Sequence, residues 1–93
     1  MNPLEAARQE INAVDKEIAA LFERRMKAVE SVIAYKIENN LPIFDASREA
    51  QVIERNCTLI QDEVLVDYFR EFLVFQMDLS KKYQQSILDK MQK

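Results

Sequence analysis

Arg25 stands in the middle of an otherwise apolar heptad line, Leu4, Ile11, Ile18, Arg25 and Val32. An unpaired charge on such a line is costly, so Arg25 calls for an anionic partner. Lys36 follows it by eleven residues, about three helical turns, and shares its face. Arg8 precedes it by seventeen residues, which is about 25 Å along a helix axis and roughly a quarter turn around it. One small ligand cannot touch Arg8 and Arg25 of the same straight helix. It can touch Arg25 and Lys36 of one chain together with Arg8 of an antiparallel partner, so the spacing favours an anion site shared between subunits.

Two further clusters accompany these cations. In Asp45-Ala46-Ser47-Arg48-Glu49, Asp45 suits a helix N-cap, Arg48 can bond Glu49 or Glu54, and Glu49 can accept a hydrogen bond from a ligand hydroxyl. Ser80 and Gln84 are four residues apart and stack on or beside the inner face of the last helix. They read either as a buried serine bonded to its own helix with a boundary glutamine, or as two neutral donors lining a polar pocket. The other charges have ordinary readings. Glu23, Arg24, Lys27 and Glu30 suit a solvated or ion-paired surface, and Lys81, Lys82, Lys90 and Lys93 suit the C-terminal end of a helix. Cys57 reads as a small buried apolar residue, and Met26, Met77 and Met91 as packing filler.

The composition narrows the chemistry. The chain has no His, no Gly and one Cys. A histidine base, a Cys–His pair, a conventional zinc site and a glycine-rich phosphate loop are thereby excluded. The net charge of −3 argues against nucleic-acid binding. If the chain is an enzyme, its chemistry must need little more than positioning and fixed charge.

The elements that hold these residues are helices, since turn formers are nearly absent and helix formers fill the chain. Asn2 caps a first helix, Pro3 fits its first position, and the helical pattern runs from Leu4 to about Glu38. Asn39-Asn40-Leu41-Pro42 stops it. Asp45 caps a second helix from about Ala46 to Ile60. Gln61-Asp62-Glu63 forms a short connection, and a third helix runs from about Val64 to Leu88, its core face carried by Phe69, Phe72, Leu73, Tyr83 and Ile87. The first helix would be about 50 Å long, whereas a compact chain of this size has a radius of gyration of about 12 Å. It overhangs any monomer, so its apolar stripe predicts a dimer. Residues 1–93 read as a single all-α domain. With no apolar run of membrane-spanning length and no signal-peptide pattern at the start, the expected location is cytoplasmic, away from membranes.

Taken together, Arg8-x2-Ile11-x3-Asp15, Asp15-x5-Leu21-Phe22-x2-Arg25, Lys36, Leu41-Pro42-Ile43-x-Asp45-x2-Arg48-Glu49 and Ser80-x3-Gln84 resemble the all-helical class of chorismate mutases over nearly the whole chain. The resemblance implies three helices per chain and two chains entwined as a six-helix homodimer with two equivalent sites. It implies an isomerase of phenylalanine and tyrosine biosynthesis, on the shikimate route, that converts chorismate to prephenate without a cofactor. Arg25 and Arg8 of the partner subunit would hold the substrate carboxylates, with Ser80 helping at the ring-side one. Asp45, mainly through its backbone, and Glu49 would receive the ring hydroxyl. Lys36 and Gln84 would donate to the ether oxygen, and Arg48 would support the wall through Glu49 and water. Phe44, where the chain departs from the family pattern, gives the loop a bulky apolar residue able to pack beside the substrate.

Two other readings share parts of this pattern. An isochorismate-pyruvate lyase has the same fold and cation set, but Asp45 and Glu49 together tilt the reading to the mutase. A non-catalytic helical dimerisation module accounts for the heptads and leaves Arg25, Ser80 and Gln84 unexplained.

Overall fold

The computed structural model describes residues 2–92 and consists of three α-helices, α1 (Pro3–Glu38), α2 (Ala46–Cys57) and α3 (Val66–Met91), with no strand among the described residues. α1 begins where its cap predicts. The Asn2 side chain accepts from the Glu5 backbone N–H at 2.8 Å and donates back to the Glu5 carboxylate at 3.2 Å, satisfying donors that the first turn leaves unpaired. Its end is set by more than Pro42. Asn40 adopts φ 55, the left-handed conformation that Asn tolerates better than most side chains. The Leu41 N–H bonds the Lys36 carbonyl at 2.8 Å and the Asn40 N–H bonds the Ile37 carbonyl at 3.3 Å. This paired closure turns the chain back toward the body without a glycine.

α2 starts as expected, with the Asp45 carboxylate accepting from the Arg48 N–H at 3.0 Å, but it ends at Cys57 rather than Ile60. Thr58 donates its hydroxyl to the Arg55 carbonyl at 2.6 Å, and the Leu59 and Ile60 N–H groups reach back only three residues. These bonds tighten and terminate the helix. The connection is likewise structured: Asp62 caps a single 3₁₀ turn, Glu63–Leu65, by accepting from the Val64 N–H at 3.1 Å. α3 then runs three residues beyond the expected Leu88, to Met91.

α3 is the common partner of α1 and α2. The core of the single chain is small: among the described residues its buried apolar side chains are Val29 and Ile33 of α1 and Leu73 and Met77 of α3. Tyr83 bolts the two helices together by donating to the Glu30 carboxylate at 2.6 Å, and Glu30 also pairs with Lys27 at 3.4 Å. Of the expected core face of α3, Leu73 is buried, whereas Phe72 is 49% exposed and stacks on Phe69 with ring centroids 5.9 Å apart. Cys57 is half-buried and Met91 exposed, so neither is a core residue here. The molecule measures 55 × 27 × 14 Å with a radius of gyration of 16.8 Å. Leu4, Ile11, Ile18 and Leu21, on the first two-thirds of α1, are all exposed. Among the described residues, no helix is long and apolar enough to cross a membrane.

Candidate active site

The second half of α1, the loop after it, the start of α2 and the second half of α3 enclose one cleft of about 160 Å³. Arg25, Lys36, Asp45, Arg48, Glu49, Ser80 and Gln84 all line it, with Val29, Val32, Ile43, Val52 and Met77 as its apolar walls. Seven of the eight residues singled out in the sequence thus meet in one place. Arg8 does not: it is exposed near the free N-terminal end of α1, about 25 Å from Arg25 along the axis.

Local backbone chemistry explains how the parts are held. The Lys36 carbonyl anchors the turn after α1, and the Lys36 ammonium donates to the Ile43 carbonyl at 2.7 Å. One residue therefore ties the loop from both its backbone and its side chain, and its ammonium retains two further donors. Asp45 spends a carboxylate oxygen on the cap of α2, which leaves Glu49 as the cleft acid whose carboxylate is free of helix capping. Ser80 and Gln84, both buried in α3, stack one turn apart, the Gln84 amide nitrogen 3.4 Å from the Ser80 hydroxyl.

The electrostatics favour an anion. Arg25, Lys36, Arg48 and Lys81 face the cleft against two carboxylates, Asp45 and Glu49, in a chain whose net charge is −3. One guanidinium nitrogen of Arg25, Nη1, is buried without a hydrogen-bond partner among the described residues, as is Gln84 Oε1. Burial, and then the nearby Arg48 cation, lower the Arg25 pKa from its ordinary value. An anionic ligand would relieve both effects, by giving Nη1 an acceptor and by screening the two cations from each other.

Lys81 was not among the residues the sequence pointed to. Read there as a helix-end charge, it lines the cleft and bonds Glu49 at 3.0 Å and Asp78 at 3.3 Å. A signal did exist. Lys81 directly follows Ser80 and precedes Gln84 by three residues, well before the last turn, where a helix dipole would favour it.

An all-helical chain with a cleft between its helices where four cations outnumber two carboxylates defines a binding or positioning site for a small anion. The chain belongs to the chorismate mutase type II family, whose model matches residues 7–85. It is 31% identical over 90 residues to the bifunctional chorismate mutase/prephenate dehydratase of Aquifex aeolicus, covering 88% of this chain and 25% of that protein. It is 43% identical over 54 residues to the protein of the same name from Buchnera aphidicola, covering 58% of this chain and 14% of that one. The T-protein of Haemophilus influenzae is 31% identical over 78 residues, covering 78% of this chain and 21% of the relative. The chain therefore spans a quarter or less of the length of these curated relatives.

Proposed function

We propose that this chain is a chorismate mutase, rearranging chorismate to prephenate in aromatic amino acid biosynthesis, and that it works as a single-domain homodimer without a cofactor. The observation that carries the reading is the cleft itself, which gathers Arg25, Lys36, Asp45, Arg48, Glu49, Ser80 and Gln84 and leaves a buried guanidinium nitrogen unpaired. Chorismate is a dianion, and such a nitrogen suits one of its carboxylates. The reaction is an intramolecular [3,3] shift in which a C–O bond breaks as a C–C bond forms. It needs no proton transfer and no nucleophile, so the absence of His is no obstacle. The site has to hold the enolpyruvyl arm folded over the ring and stabilise negative charge growing on the ether oxygen.

In this reading Lys36 supplies the charge and Gln84 a neutral donor to that oxygen. Arg25 and Ser80 bind carboxylate, and Glu49 takes the ring hydroxyl, with the Asp45 backbone beside it. Arg48 supports the wall next to Glu49. The Gln84 NH₂ group has two hydrogens: one goes to the Ser80 hydroxyl oxygen, which leaves the Ser80 O–H to donate to a carboxylate, and the second serves the ether oxygen.

The second carboxylate is taken by Arg8 of the partner subunit. A groove between α1 and α3, lined by Ile18, Leu21, Phe22, Phe72, Phe75 and Leu79, runs into Arg25 and suits an amphipathic helix such as a second copy of α1. Placing Arg8 beside the partner subunit's Arg25 puts the twofold axis between Lys16 and Glu17. Ile11 then lies against the partner subunit's Phe22, and Leu4 against the partner subunit's Val29, in an isologous antiparallel pair. A cytoplasmic location goes with this reading.

The test is the loss of chorismate absorbance with purified protein in metal-free buffer. Formation of prephenate by the wild type, reduced about a hundredfold or more by Lys36→Ala, is the expected outcome. A folded protein inert toward chorismate would contradict it, and pyruvate release from isochorismate would reassign the site to a lyase.

A further inference from the structure

Lys81 is the one charged residue of the cleft to which the mutase reading gives no part, yet it is tightly engaged. Its side chain is 28% exposed and that of Glu49 24%, unusually low for either residue type. The ammonium bonds Glu49 Oε2 at 3.0 Å and Asp78 at 3.3 Å, and it lies 4.9 Å from the centre of the Phe44 ring, within cation–π range. Three segments therefore converge on one nitrogen: α3 through Lys81 and Asp78, α2 through Glu49, and the α1–α2 loop through Phe44. Chorismate presents several acceptors but only one hydroxyl donor. The cleft has two acids; Asp45 gives one carboxylate oxygen to the helix cap, and the mutase reading assigns the hydroxyl to Glu49. With Oε2 of Glu49 held by Lys81, Oε1 is left to meet it.

We propose that Lys81 is a positioning residue which, with Phe44 packed against it, fixes the Glu49 carboxylate so that the site reads the ring hydroxyl of its substrate. A free glutamate on an exposed helix samples several rotamers, and a bond from a cation already held by Asp78 and an aromatic face removes that freedom before binding. The inference rests on the mutase reading above.

The experiment compares wild type, Lys81→Met, Lys81→Arg and Glu49→Gln on chorismate and on the analogue that lacks the ring hydroxyl. In Lys81→Met the KM for chorismate should rise about tenfold with kcat nearly unchanged, as for a lost ground-state contact. The analogue should be turned over as in wild type, and Lys81→Arg should recover most of the loss. Adding Lys81→Met to Glu49→Gln should produce no further change, because the two residues act as one unit. Equal losses on both substrates, additive effects in the double variant, or wild-type kinetics in Lys81→Met would each overturn the assignment. If Lys81→Met does not fold, Lys81→Gln, which keeps a donor without the charge, serves in the same comparison. A wild type inert toward chorismate removes the mutase reading instead, so the two failures are distinct.

Discussion

Gln84 has an amide where the reaction needs a hydrogen-bond donor. An amide donates at any pH, whereas a carboxyl donates only when protonated and accepts when ionised. The turnover of the wild type should accordingly stay flat from mildly acidic to neutral pH. Gln84→Glu reverses this. At neutral pH its carboxylate would face the growing negative charge on the ether oxygen, and kcat should fall about a hundredfold. Activity should return as pH drops and the carboxyl protonates. A pH–rate profile of the two proteins checks this, and a Gln84→Glu variant that works as well at neutral as at acid pH would contradict the role given to Gln84. At this scale the sequence was informative where a residue broke a pattern: Arg25 on an apolar line, Ser80 and Gln84 on an inward face. The position of Lys81 beside Ser80, well before the last turn, was a signal too, but its pairing with Glu49 was not legible, because it depends on α2 docking against α3.

The helices depend on a few polar ties as well as on apolar contact, since the core of one chain is so small. The Tyr83–Glu30 bond is the clearest, linking α3 to α1 beside the cleft. The Tyr83 hydrogen bond, foremost, holds the Glu30 carboxyl below the usual carboxylate range, and the same bond raises the Tyr83 phenol above its usual value. A depressed carboxyl contributes stability above its unfolded pKa and loses it as pH falls through the folded value. A raised phenol contributes below its unfolded pKa and loses it as pH rises through the folded value. The tie is therefore complete between about pH 5 and about pH 9. Tyr83→Phe should melt at a lower temperature than wild type at neutral pH, with the difference shrinking at strongly acid pH. Thermal melts across pH read this directly, and a gap that does not narrow in acid would contradict it. The starts of α1 and α2 were legible because Asn2 and Asp45 are side-chain caps written into the sequence, whereas α3, expected from about Val64, begins at Val66 after a 3₁₀ turn and has no side-chain cap. Helix ends were less so. The stop of α2 depends on a hydroxyl–carbonyl bond at Thr58 that composition does not announce, and the turn after α1 depends on Asn40 as much as on Pro42.

On the scale of the molecule, one chain has the site's floor and walls but an unfinished surface. Most of α1 projects with an apolar stripe open to solvent, Leu21 being 57% exposed, and the groove beside it leads to Arg25. Burying that stripe in a second copy would supply the hydrophobic area the single chain lacks. It would also bring Arg8 of the partner subunit to the cleft. The overhang was legible from helix length alone, because a helix about 54 Å long has nowhere to hide in a chain of this size. If each site is completed by the neighbouring subunit, complementation between two inactive variants will restore activity. Arg8→Ala and Lys36→Ala proteins, each nearly inactive alone, are mixed in equal amounts, unfolded together and refolded. If Arg8 acts across the interface, each mixed dimer contains one wholly intact site and one doubly defective site. With half of the dimers mixed, about a quarter of wild-type chorismate mutase activity should return. If Arg8 acts within its own chain, or plays no part, the mixture will show no activity beyond the average of the two variants, and the shared-site account will be wrong.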